Sequence, residues 1–377
     1  MKTPYYIVYE EKLRNNLNLI TRVMQESGAK IIMAFKANAL WKTFPIIKEY
    51  GFCSTASSVN EMLLANEELD CLAHTYCPVY TDETIEKFMR GSSHITFNSV
   101  AQYERFKQRV EDFGKEAGRH IGCGLRINPM CSVIETDIYN PCVPGSRFGV
   151  TADALRQLPE GLEGFHFHAL CESTSYDLEK VLQAVREQFG QYLPRLKWLN
   201  MGGGHLMTRK DYDTRHLIAL LKEFKNDYPN LDLILEPGSA FCWQTGDLEA
   251  TVIDVVENCG IKTAIVDVSF ACHMPDCLEM PYKPRISQAL DEVDTSRPTY
   301  RIGGNSCLSG DFTGDWSFEK ELQPGDRLTF EDMNHYTTVK TNMFNGIDHP
   351  SLVLERLDGA RVVMREFTYE DYKSRMS

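Results

Sequence analysis

Eight short apolar runs, evenly interleaved with polar and helix-like segments, constrain this chain more than any other feature. They lie at 30–36, 51–56, 71–77, 94–98, 121–128, 163–168, 197–202 and 231–236. Short apolar runs bounded by polar segments read as buried strands. Between most of them lie helical patterns: Asn60 to Glu68, Ser99 to Glu116, Tyr176 to Gln191 and Asp213 to Tyr228. An earlier stretch, Glu10 to Gln25, repeats Leu13, Leu17, Ile20 and Met24 at helical spacing. Eight strand–helix units in about 220 residues predict an α/β fold, a TIM-like (β/α)8 barrel, which typically takes about 250. An open doubly wound sheet competes, but eight repeated units fit closure better.

From about residue 245 the texture changes. Val252 to Val256, Thr263 to Val268, Thr299 to Gly303 and Arg327 to Glu331 are short strand-like runs separated by Gly, Pro and Asp turns. The expected organisation is a barrel over 10–245 and an all-β domain, sandwich- or barrel-like. That domain takes 246–377 together with 1–9, which carries the strand-like Tyr5-Tyr6-Ile7-Val8-Tyr9. A chain of 377 residues has room for both.

A net charge of −13, with no basic patch or tail, argues against a nucleic-acid partner. No signal-peptide pattern precedes Tyr5, no apolar run approaches a membrane span, and the twelve cysteines are irregularly spaced. The expectation is a cytoplasmic protein without a membrane partner. No Cys-x-x-Cys pair occurs, so a structural zinc site has little support.

In a closed barrel, functional residues sit where strands end. Lys36 ends the first run, Arg126 the fifth, and His166 and His168 share one face of the sixth. Gly202-Gly203-Gly204 follows the seventh and Glu236-Pro237-Gly238-Ser239 the eighth. A lysine at a strand exit either snorkels to the surface or forms a Schiff base with a carbonyl cofactor. The triple glycine is either a tight turn or a place where free amides meet a phosphate. Glu236 is either an ordinary strand-end carboxylate or one that holds a pyridine nitrogen protonated. His168 is either a satisfied interior histidine or one that stacks on a cofactor ring. A metal site from His166, His168 and Cys171 matches no common ligand spacing, and none is expected.

The ordered set Ala34-Phe35-Lys36-Ala37-Asn38, Arg126-Ile127-Asn128-Pro129, Ser146-Arg147-Phe148-Gly149, Phe167-His168, Gly202-Gly203-Gly204 and Glu236-Pro237-Gly238 resembles the alanine-racemase-like (fold type III) pyridoxal-phosphate decarboxylases. The likeness continues past the barrel in Gly303 to Asp311, Asp332 to Thr337 and Phe344-Asn345-Gly346. The resemblance implies pyridoxal 5′-phosphate as cofactor, with Lys36 on its aldehyde, His168 on its ring and Glu236 at its nitrogen. Gly203, Gly204 and Tyr336 would serve the phosphate, and Arg126 would join the cofactor-binding set. It also implies a homodimer with shared sites, in which Cys307 comes from the partner subunit and protonates the substrate carbon. That task needs a partly exposed thiol.

Two departures bear on the substrate. Diaminopimelate decarboxylases carry arginine after Glu-Pro-Gly and glutamate after the motif cysteine, where this chain has Ser239 and Leu308. The stretches His168 to Ser173, Cys272 to Tyr282 and Cys307 to Asp311 are similar instead to the carboxynorspermidine and carboxyspermidine decarboxylases of polyamine biosynthesis. The implied substrate is a small-molecule polyamine carboxylate. Its amines would meet acidic residues, Asp276, Glu172 and Asp311, by charge-assisted hydrogen bonds, with Glu236 also on the substrate side. The alternatives are a diaminopimelate or other basic amino-acid decarboxylase, a racemase, or a non-catalytic cofactor-binding protein. An arginine at the pyridine nitrogen would suit a racemase, whereas Glu236 with Cys307 suits decarboxylation.

Overall fold

The computed structural model describes residues 1–134 and 139–377, which form two compact units. One holds Asn16–Lys36 and Thr43–Phe241, and the other Met1–Asn15, Ala37–Lys42 and Cys242–Ser377.

The chain opens with strand β1 (Tyr5–Tyr9) and helix α1 (Glu10–Ser27), and the first unit then builds a ring of parallel strands. These are β2 (Lys30–Ile31), β3 (Met33–Ala34), β4 (Ser54–Ala56), β5 (Ala73–Tyr76), β6 (Ser92–Phe97), β7 (Gly122–Arg126), β8 (Gly164–His166), β9 (Trp198–Asn200) and β10 (Asp232–Leu235). Only Ile32 separates β2 from β3, and the two face opposite neighbours. Ile234 pairs with Lys30 on one side, and Met33 with Ser54 on the other. The Ile32 amide bonds Leu235 at 2.9 Å, and the Met33 amide bonds Cys53 at 2.9 Å. One run thus closes the sheet, so the nine segments are eight strands of a barrel.

Polar caps set the helix starts between strands. Ser58 caps α3 (Val59–Glu68) and Ser99 caps α5 (Val100–Glu116), after the short α2 (Phe44–Lys48) and α4 (Asp82–Gly91). Thr174 and Asp177 form a capping box on α6 (Ser175–Phe189), and Asp213 caps α7 (Thr214–Asp227). Helix α4 lies between two predicted strands where the sequence reading placed none. Its signals are the Thr81–Thr84 capping box and the buried Ile85, Phe88 and Met89 on one face.

Where the strands begin, the ring is filled by Trp198, which is buried against Ile32 and Ile234. Gly124 and Gly164 leave room for it: a Cβ on Gly164 would stand 2.0 Å from the fused part of the indole.

The second unit is a mixed sheet ordered β14-β13-β12-β11-β1-β16-β17, with β15 paired to β11. Its further strands are β11 (Gly246–Asn258), β12 (Ile261–Val266), β13 (Thr299–Gly303), β14 (Phe312–Ser317), β15 (Arg327–Phe330), β16 (Ser351–Glu355) and β17 (Arg361–Arg365). Along β11, Leu248, Ala250 and Val252 are fully buried and alternate with less buried residues, as in a strand with one covered face. They pack with Tyr6, Trp316 and Phe330. The strand-like patterns of the sequence fall on β11, β12, β13 and β15. Strands β14 and β17 carry too many polar or exposed positions for their pattern to stand out, and the apolar run of β16, Leu352 to Leu354, is only three residues long.

Gly164→Ala should cost about 1–3 kcal/mol of stability, because the clashing atoms belong to a rigid indole rather than a movable chain end. Denaturant unfolding measures it. Gly118→Ala, with nothing within 4 Å but a φ of +64°, isolates the backbone contribution.

Candidate active site

Strand alternation in the barrel unit aims the chemistry inward. Phe165 and Phe167 are fully buried, and Phe165 packs edge-on against Phe189 and Tyr192 on the outer side. His166 and His168 therefore face the interior, where both line a cavity of about 340 Å³ at the C-terminal end of the ring. Lys36, Arg126, Gly203 and Glu236 line the same cavity.

Lys36 Nζ lies 3.0 Å from His168 Nε2. On the other edge of that imidazole, Nδ1 accepts the Gly203 amide at 3.1 Å. Burial first, then the neighbouring Lys36, pushes His168 well below its ordinary value, so the ring is neutral. A neutral ring that accepts at Nδ1 carries its proton on Nε2, and that proton points at Lys36. Only an uncharged amine can accept it. Burial, followed by the Arg126 charge, independently lowers the Lys36 pKa.

Glu236 is the opposite case. Burial pushes its carboxyl up, but hydrogen bonds from His166, Asn200 and Thr55 outweigh this and hold it below its ordinary value. Asn200 Nδ2 donates to Oε1 at 2.6 Å, and His166 Nε2 lies 3.5 Å from Oε2. Burial lowers the His166 pKa despite the carboxylate beside it. The pair is therefore a neutral imidazole donating to an anion, rather than an ion pair.

Arg126 is buried between two aromatic faces, 4.7 Å from the Tyr76 centroid and 4.4 Å from that of Phe148, and donates to the His168 carbonyl at 3.2 Å. The glycine run packs without side chains: a Cβ on Gly203 would stand 2.6 Å from the Glu236 carbonyl oxygen. Gly202 and Gly204 take φ of +67° and +90°.

These groups fit pyridoxal phosphate. They provide an uncharged primary amine, a buried carboxylate, an imidazole face and an amide-bearing turn with no side chains in the way. The cavity also contains Thr55, Glu61 and Tyr76, which the sequence reading did not single out. Tyr76 and Asn200 are the last residues of β5 and β9, so strand-end position was the signal that could have found them, whereas Thr55 stands in the middle of β4.

The remaining predicted residues lie outside this lining. Gly204 packs on Leu170, and Glu172 is exposed, with φ of +46° and its carbonyl accepting from Arg209. In the sheet unit, the exposed Cys307 donates its amide to Asn345 Oδ1 at 2.8 Å. Asp311 is buried and already occupied: Oδ1 accepts the Ala271 amide at 2.9 Å, and Oδ2 accepts the Ser306 hydroxyl at 2.6 Å and its amide at 3.2 Å. Asp276 pairs with Lys340 Nζ at 2.6 Å, and Glu279 pairs with the same amine. The Tyr336 amide bonds the Ala37 carbonyl at 2.8 Å, and the tyrosine takes φ of +53°.

Known proteins resemble the whole chain. The family model described as the pyridoxal-dependent decarboxylase, C-terminal sheet domain, matches residues 8–334. A carboxyaminopropylagmatine decarboxylase from Synechocystis is 45% identical over 100% of this chain and 96% of its own length. A carboxynorspermidine/carboxyspermidine decarboxylase from Campylobacter jejuni is 39% identical, over 100% of this chain and 98% of its own. The crystal structure of C. jejuni carboxynorspermidine decarboxylase with norspermidine superposes with a TM-score of 0.90 at 38% identity, covering both chains fully. With relatives alike from end to end and a barrel whose strand ends gather an amine and a carboxylate, the chain belongs to the pyridoxal-dependent decarboxylases.

Proposed function

We propose that this carboxy-lyase acts on a polyamine bearing an α-amino carboxylate, namely carboxynorspermidine or carboxyspermidine. The observation that carries the reading is the full-length likeness, in sequence and in fold, to the C. jejuni enzyme bound to norspermidine. Ser239 and Leu308 support it, since both stand where a decarboxylase of diaminopimelate would carry an arginine and a glutamate. The higher identity to the Synechocystis enzyme favours a second reading, carboxyaminopropylagmatine, whose far end is a guanidinium instead of an amine.

When bound, pyridoxal phosphate supplies an aldehyde that engages a primary amine and a ring that draws electrons from the substrate carbon. The chain's residues would divide the remaining work. Lys36, held uncharged, provides the amine that the substrate's own amine replaces. Glu236, kept anionic by its three donors, holds a proton on the ring nitrogen. The His168 imidazole would support the ring face, Arg126 would fix the carbonyl of His168, and the side-chain-free turn of Gly203 and Gly204, through the Gly204 amide, would take the phosphate together with Tyr336. After the carboxylate leaves as CO2, Cys307 from the partner subunit of a homodimer gives its proton to the α carbon. Asp276 and Glu172 are the acids we assign to the distal amines.

A panel of carboxynorspermidine, carboxyspermidine, carboxyaminopropylagmatine, diaminopimelate and ornithine, assayed for CO2 release, tests the reading. Highest kcat/KM on one of the first two is expected. Preference for carboxyaminopropylagmatine would move the assignment to the second reading, and turnover of diaminopimelate alone would overturn both. Cys307→Ala should lower kcat by about 10²–10⁴-fold with little change in KM, because a general acid acts in the transition state. Unchanged steady-state turnover would remove Cys307 from its role.

Asn200→Ala removes a donor from a charged acceptor and should cost about 1.5–3 kcal/mol at neutral pH. The folded pKa of Glu236 is depressed, so its contribution is present above its unfolded pKa and lost as the pH falls through the folded one. The gap between variant and wild type in denaturant unfolding should therefore close in acid.

A further inference from the structure

At the rim where the barrel strands begin, opposite the cavity, two thiols meet. Cys53 immediately precedes β4, and Cys71 lies two residues before β5. Thr55 pairs with His74, so Cys53 is level with Leu72 and staggered by one residue from Cys71. In a regular strand a one-residue stagger would put the two side chains on opposite faces, but Cys71 lies in a bend ahead of β5, just after Asp70 at φ of +51°. The Cys53 and Cys71 thiols hydrogen-bond each other, and the Leu72 carbonyl, 3.3 Å from Cys53 Sγ, is the alternative acceptor for the single Cys53 proton.

We propose that Cys53 and Cys71 are a reversible disulfide site, with Cys71 the sulfur that a hydroperoxide attacks first. The surroundings of Cys71 are built for a thiolate. It receives the Cys53 thiol and the Ser54 amide, and the Lys30 ammonium lies nearby. The Ser54 hydroxyl, fully buried, faces the same sulfur and has no nitrogen or oxygen partner among the described residues. An anionic sulfur would satisfy it. Hydrogen bonding from Cys53 first, then from Ser54, draws the Cys71 thiol below its usual range, while the same bond pushes Cys53 up. Both residues are only partly buried, so a small oxidant can reach them.

The chemistry needs only a hydroperoxide as oxidant. The Cys71 thiolate attacks one peroxide oxygen, the O–O bond breaks, hydroxide leaves, and a sulfenic acid forms. The Cys53 sulfur then attacks the oxidised sulfur, forms the S–S bond and releases water. In sum, two thiols and one hydrogen peroxide give one disulfide and two waters. The bridge would enclose α3, whose first turn carries Glu61 into the wall of the cavity. Oxidation at one end of the strands would therefore bear on an element that serves the other.

The test treats the full cofactor-loaded protein with hydrogen peroxide, blocks remaining thiols with iodoacetamide, and maps peptides without reductant by mass spectrometry. A linked peptide pair joining Cys53 to Cys71, lighter by two hydrogens and released by dithiothreitol, is expected. Cys71→Ser should abolish the link, and Cys53→Ser should leave a Cys71 sulfenic acid that dimedone traps. On reduced wild-type protein, Cys71 should react with limiting iodoacetamide several-fold faster than the exposed Cys259. Absence of the link in wild type, or oxidation of Cys171, Cys259 or Cys307 ahead of Cys71, would overturn the proposal without needing either variant to fold.

Discussion

The barrel depends on the change of partner at Ile32. Below that residue the first strand belongs to β10, and above it to β4. The ring closes because one extended run supplies both edges, leaving neither exposed. Closure also fixes the exit of the run, so Lys36, two residues past the last paired residue Ala34, is delivered to the C-terminal end of the ring. The Ala34 amide bonds Pro237 at 3.1 Å, immediately after Glu236. The ends of the first and last strands are thereby held side by side, which brings the amine and the carboxylate to one cavity although 200 residues separate them in sequence.

Within that cavity, two opposite protonation requirements are met by different means. The Lys36 pKa is lowered mainly because the amine is crowded away from water, with Arg126 adding like-charge repulsion. Glu236 is crowded too, yet stays anionic because three donors converge on it. Desolvation disfavours the charge on both groups, and at Glu236 the hydrogen bonds from His166, Asn200 and Thr55 outweigh it. His168 links the two halves of the site. Its Nδ1 is committed to the Gly203 amide, and this fixes which edge of the ring meets Lys36. A side chain at position 203 would collide with the Glu236 carbonyl, so the turn that sets this tautomer requires glycine.

Sequence patterns carried the ring and six cavity residues, Lys36, Arg126, His166, His168, Gly203 and Glu236, because strand ends are legible where an apolar run stops. They did not carry the partners of those residues. Asn200 and Thr55 are ordinary strand residues in sequence, and their importance depends on a carboxylate that pairing places beside them. His166 was legible as an inward-facing histidine, but its role as a neutral donor to Glu236 needed the distance between them. The strands missed in the sheet unit fail for a simpler reason. In β17 only Met364 is buried, so no alternation of apolar and polar residues announces it.

The acids predicted to hold distal amines also separate once their partners are known. Asp311 accepts three donors from Ala271 and Ser306, and the amide of Gly304 bonds its carbonyl at 2.8 Å. A Cβ on Gly304 would stand 2.2 Å from the Asp311 carboxylate, so glycine there lets the loop close around that anion. An ammonium arriving at Asp311 would have to compete with backbone amides that cannot move away without unfolding the loop that presents Cys307. Asp276 differs, because its partner is the end of a flexible lysine chain, Lys340, which Glu279 also holds. Another cation can take Asp276 while Glu279 retains the displaced lysine, which brings this cluster of two carboxylates and one ammonium from −1 to neutral. Exchange of one ammonium for another costs far less than breaking three fixed donors to a buried carboxylate. On that ground Asp276 suits a substrate amine, and Asp311 suits the architecture of the loop.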